Sequence, residues 1–125
     1  MNPRRRVSDE DRVRHIRKAA AKLAEIVADG WDVFDTSWRH QDLAAHQLMI
    51  IGEAAGRLSE EFVAAHPGLE VAQAKALRNV VVHQYDDVDP AQVWTVLTVS
   101  VPEFVAALPE PPPIDPSGPS LGVVT

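Results

Sequence analysis

The sequence predicts an all-α bundle of four or five helices, and three observations carry that expectation. Apolar residues recur at intervals of three and four through most of the first 108 positions. No stretch alternates apolar and polar residues as a half-buried strand would. Ser8-Asp9-Glu10-Asp11 and Asp89-Pro90-Ala91-Gln92 are helix starts, each with a capping side chain, and each stands at the head of one apolar series. A chain of 125 residues with no internal repeat has the length of one domain.

Helix one follows Ser8, whose hydroxyl caps a first turn rich in acids. Val13, Ile16, Ala20, Leu23 and Val27 draw a seam down one face, and Gly30 ends the helix. Residues 31–39 read as a connector whose rings, Trp31, Phe34 and Trp38, plug the core. Helix two spans about His40 to Ala65, with Leu43, Gln47, Ile50, Ala54, Leu58 and Phe62 in its seam, and stops at His66-Pro67-Gly68. Gly52 and Gly56, four apart, open a face where another helix can come close, against a helix-propensity cost of about 1 kcal/mol each. Glu53 lies between them among apolar neighbours, and its simplest role is to pair with an arginine.

Helix three runs from about Glu70 to Tyr85, with Ala74, Leu77, Val80 and Val81 inward, and gives way to an acidic turn at Asp86-Asp87-Val88. Val80-Val81-Val82 is β-prone, but its helical flanks outweigh that local preference. Helix four starts at Pro90 and buries Val93, Leu97, Val101, Phe104 and Leu108, with a bend at Pro102. Residues 109–125 hold six of the ten prolines and no periodicity, which predicts a mostly disordered tail whose removal leaves the fold intact. The expected organisation is a basic tail over 1–8, a helical domain over 9–108 and the proline-rich tail over 109–125.

The formal net charge of −6 hides an asymmetry. Residues 1–22 carry eight bases against three acids, so the remainder of the chain would repel a polyanion and any nucleic acid must be bound locally. The same basic segment also suits a solvated helix face with a frayed end. The absence of cysteine excludes disulfides, thiolate metal sites and a cysteine nucleophile. No apolar run approaches the roughly 20 residues of a membrane span, and the early arginines lead into polar sequence, so a cytoplasmic protein without membrane attachment is expected.

The informative stretch is Arg78-Asn79-Val80-Val81-Val82-His83-Gln84-Tyr85. On an ideal helix Arg78 and Tyr85 lie about 20° from alignment, while Asn79 and His83 are one turn apart. Arg78 and His83 differ by about 140° and roughly 7.5 Å of rise, so one copy makes a compact pair only if the last turn distorts, whereas two facing copies avoid the difficulty. A histidine can take the proton of a ribose 2′-hydroxyl, and an arginine can bind the phosphate and offset its developing charge. That cleavage of RNA needs neither metal nor cofactor, and none is expected. A purely structural reading also holds: His83 as a helix cap, Arg78 paired with an acid, and Tyr85 as an aromatic plug.

Leu77 to Tyr85, preceded by Ile50 to Ser59 and followed by Val88-Asp89 and Val93-Trp94, resembles the HepT family of HEPN ribonuclease toxins over about residues 9–108. The R-x4-H-x-Y motif falls on Arg78, His83 and Tyr85, and the isoleucine-glycine-glutamate-alanine-alanine stretch is intact as Ile51 to Ala55. The resemblance implies a homodimeric HEPN-like bundle whose two motif helices meet, and a metal-independent endoribonuclease with Arg78 and His83 as its catalytic pair. Asn79 and Glu53 would support them. It further implies an MntA-type nucleotidyltransferase antitoxin, joined in a higher heteromeric complex, that transfers AMP from ATP onto Tyr85. The sequence departs from many relatives in lacking a tryptophan after Pro67, and the segments before Val7 and after Pro109 lie beyond the resemblance. The alternative is a non-catalytic helical module that presents substrate or nucleotide to a nucleotidyltransferase.

Overall fold

The computed structural model describes residues 7–83 and 89–110, with the backbone alone for 79–83. Among the described residues there is no strand, and no helix is long and apolar enough to cross a membrane. Helix α1 (Asp9–Ala28) starts as its sequence dictates: Ser8 Oγ accepts from the Asp11 amide at 3.0 Å while the Asp11 carboxylate accepts from the Ser8 amide at 3.1 Å. Val13, Ile16 and Leu23 are buried as the seam predicts. Ala20 and Val27 sit at its margin, and Ala19 and Ile26 take the interior positions instead.

Gly30, at φ 94°, reverses the chain, and the connector then coils into a short helix, α2 (Trp31–Thr36). Phe34 is fully buried and stacks with Trp31 and Trp94, ring centroids 5.4 to 6.4 Å apart. Trp38 does not plug the core. It opens α3 (Trp38–Gly56), stays 65% exposed and lies under the Arg39 guanidinium. Leu43, expected in the seam, is exposed too.

The single helix expected over residues 40–65 is two. Helix α3 ends at Gly56, and α4 (Glu60–Ala65) restarts where Ser59 Oγ accepts from the Phe62 amide, with Glu60 and Glu61 in the first turn. Asp9 holds this break against the start of α1, accepting from the Ser59 amide at 2.8 Å and its hydroxyl at 2.6 Å. Helix α5 (Val71–His83) follows. Then come α6 (Pro90–Thr95), a π-helical turn over Val96–Ser100 and α7 (Val101–Ala106). The irregularity expected at Pro102 therefore lies a turn earlier, and Pro102 sits in the first turn of α7, where its missing amide costs little.

Helix α3 is the centre of the bundle, packing on α5 along one side and α1 along another. The core joins Ile16 and Leu23 of α1, Leu48 and Ile51 of α3, and Val93, Leu97, Val101, Phe104 and Leu108 from the last segments. Arg17 ties down the far end by donating to the Pro109 carbonyl at 2.7 Å, so Pro109 belongs to the folded body rather than to the tail. The inward packing expected of Val80 and Val81, the turn at 86–88 and the tail beyond Glu110 lie outside the described residues.

Candidate active site

The site is built where α3 and α5 run closest together. Gly52 has no side chain, and a Cβ placed there would fall on the Cβ of Arg78; Gly56, one turn on, lies 3.4 Å from the Lys75 side chain in the same sense. The two glycines therefore bring α5 in at the level of Arg78, as their spacing predicts. The Arg78 Nη1 donates to Glu53 Oε2 at 2.5 Å, a charge-assisted bond between the two helices. Arg57 Nη2 stands 3.7 Å from the other oxygen of the same carboxylate. Glu53 thus lies between two guanidiniums, one on its own helix and one on its neighbour.

Exposure sets what this arrangement can do. The Arg78 side chain keeps 30% of its surface accessible and Glu53 keeps 45%, so the pair is half-buried. A guanidinium presents its N–H donors in a rigid planar fork, so the carboxylate that meets one edge fixes the plane of the whole group. Stability gains little from such a pair, about 0 to 1 kcal/mol, so its main consequence is orientation.

The expected pairing of Glu53 with an arginine is thus present, and the arginine is that of the motif. His83 is the last residue of α5, five positions along a continuous helical backbone from Arg78. The side chains of Asn79 and His83, and Tyr85 altogether, lie outside the described residues. Sequence reasoning passed over Arg57, although its i,i+4 relation to Glu53 was a signal in plain sight. Among the described residues no group of histidines and carboxylates is placed to hold a metal ion.

A half-exposed arginine, braced by an acid from the adjoining helix and followed five residues on by a histidine at the helix end, marks an all-helical protein with a charged pair between two of its helices. The family model of the HepT-like ribonucleases matches residues 16–110, from within α1 to just beyond α7, and includes the whole motif. The chain belongs to the HepT-like ribonuclease family. Neither the curated proteins nor the solved structures compared with it give a match.

Proposed function

We propose that the protein is a metal-independent endoribonuclease, the toxin of a two-component toxin–antitoxin module acting in the cytoplasm, with residues 9–108 as its folded unit. The observation that carries this reading is Arg78, held by Glu53 over Gly52 in a chain of the HepT-like ribonuclease family. A helical backbone that continues to His83 supports a homodimeric site, because it keeps the two positions of one chain about 140° apart around the axis. Two copies facing across a two-fold axis supply an arginine and a histidine to the same phosphodiester.

In this reaction one His83 imidazole takes the 2′-hydroxyl proton. The freed oxygen bonds to the adjacent phosphorus, and the bond from phosphorus to the 5′-oxygen breaks. The leaving oxygen takes a proton from the second imidazole, and a cyclic 2′,3′-phosphate remains. Arg78 faces the phosphoryl oxygens as their charge grows, and Glu53 keeps its guanidinium from turning away. Asn79, one turn before His83, supports the end of the helix that carries the base.

Neutralisation falls to Tyr85. Its phenolic oxygen bonds to the α-phosphorus of ATP within an MntA-type nucleotidyltransferase, and pyrophosphate leaves. The AMP so attached adds a phosphate close to the face of Arg78 and competes with RNA for it. Incubation of purified protein with RNA in EDTA tests the catalytic half. Cleavage should persist in chelator, leave cyclic phosphate ends, spare 2′-deoxy substrates and vanish in Arg78→Ala and His83→Ala. Cleavage that survives either substitution overturns the assigned roles. Co-expression with an MntA-type nucleotidyltransferase should add AMP units to the intact mass, and Tyr85→Phe should lose them.

The Arg78–Glu53 pair also suits a second reading, a non-catalytic helical partner of a nucleotidyltransferase, because a structural arginine would be paired in the same way. That reading requires the partner to be bound while RNA stays uncut.

A further inference from the structure

We propose that the groove between α1 and α3 carries single-stranded RNA toward Arg78, holding phosphates at one end and reading a base at the other. The proposal rests on the ribonuclease reading above. Two clefts line this seam, one of about 340 Å³ between Arg12, His15 and Glu53, Arg57, the other of about 520 Å³ between Lys22, Glu25, Asp29 and His40, Gln47, so that carboxylates lie only singly at the first end and in a pair at the second. The pairing of early α1 with late α3, and of late α1 with early α3, makes the helices antiparallel. His15, Lys22, Ile26 and Asp29 fall within about 60° of one another on α1, so both clefts open to the same side. From Arg12 to Asp29 the helix rises about 26 Å, long enough for a site of several nucleotides.

Charge marks the first end. Arg12, His15, His46 and Arg57 surround a single carboxylate, Glu53, which already faces both Arg78 and Arg57. Arg12 has no carboxylate partner among the described residues. Val7 lines the same cleft and is preceded in sequence by Arg4-Arg5-Arg6. In a chain with a net charge of −6, this local excess of cations is complementary to a phosphate backbone. Glu53 both lines the cleft and holds Arg78, so a strand lying here ends at the reacting site.

An amide marks the second end. Gln47 is 6% exposed, lines the larger cleft, and its Oε1 has no hydrogen-bond partner. Native interiors seldom leave such a group unpaired. A primary amide sets a donor beside an acceptor, the pattern that matches the edge of a base, and exposed Leu43 next to it offers an apolar surface for the base plane.

The test uses the full chain with His83→Ala, so that RNA stays intact, and the anisotropy of a labelled single-stranded RNA of about twelve nucleotides over a salt series. Arg12→Gln and Arg57→Gln should each weaken binding several-fold and reduce the log–log salt slope by about 0.7, while Arg12→Lys keeps the slope. Gln47→Leu, with Gln47→Met as a second variant and circular dichroism to verify folding, should keep the slope and flatten the preference among oligo-A, oligo-C and oligo-U. Arg39→Gln, whose guanidinium lies over the Trp38 ring and lines neither cleft, should change neither quantity. Unchanged affinity and slope in the Arg12 and Arg57 variants, alongside intact RNA cleavage by the chain that retains His83, overturns the groove and leaves the ribonuclease reading standing. Absence of both binding and cleavage overturns both. An Arg12→Gln chain that alters its sedimentation as an oligomer but not its RNA affinity shows a contact between copies and overturns the proposal.

Discussion

The two sides of α3 are built on opposite plans. Toward the core, α1 and α3 present Ile16, Leu23, Leu48 and Ile51, each no more than 1% exposed, and hold by the burial of large apolar side chains. Toward α5, the contact surface is made by the absence of side chains at Gly52 and Gly56, and what it brings close is charged: Arg78 and Lys75. The first seam supplies stability, and the second supplies position. A helix that serves as both core and site support can thus change on one side without the other following.

The sharpest way to break this contrast is in the core. Ile16→Ala should cost about 2–5 kcal/mol by urea unfolding, because a fully buried site that loses three carbons cannot collapse completely. A loss below about 1 kcal/mol would show that the α1 seam is not where the fold is held. Gly52→Ala comes next, at about 1–3 kcal/mol, since its Cβ must displace the start of the Arg78 side chain. Its effect on RNA cleavage should be out of proportion to its effect on stability, about 100-fold, because the arginine moves with α5. Glu53→Gln sharpens the point further. It should alter stability by less than about 1 kcal/mol, given the exposure of both partners, yet lower the cleavage rate as the guanidinium loses its brace. Smallest of all, deletion of residues 111–125 should leave the melting temperature unchanged, since the Arg17 anchor to Pro109 remains.

Elements whose ends carry their own chemistry were legible in the sequence. Ser8 and Asp89 cap as expected, Gly30 turns the chain, and the glycine pair with Glu53 predicts both the close approach and the carboxylate–arginine bond. What misled was periodicity read across a break. Leu58 and Phe62 continue the α3 spacing so well that helix two read as continuous, although Ser59-Glu60-Glu61 is a capped start with acids in its first turn. Trp38 misled in another way: ring size says that a residue can fill a core, not that it does, and the adjacent Arg39 gives its face a partner outside. Of the candidate site, the spacing in the sequence sets the order of Arg78 and His83 along α5. That the arginine paired with Glu53 is Arg78 of the motif came from the packing of α5 on α3, which spacing alone does not contain.

The π-helical turn at Val96–Ser100 has a consequence for how the chain tolerates changes in length. Such a turn widens the helix by one residue, and here the Thr98 hydroxyl donates to the Trp94 carbonyl at 2.8 Å, satisfying a group that the wider ring would otherwise leave short of partners. The inward residues on either side, Val93, Leu97 and Val101, are spaced four and four, one position slack over two turns of an ordinary helix. Removing exposed Val99 would take up that slack and return the segment to regular winding, so Phe104 and Leu108 would still meet the core. The same excision inside α1 would swing everything beyond it by a hundred degrees. This last segment is therefore the place where the bundle can lose a residue and keep its register.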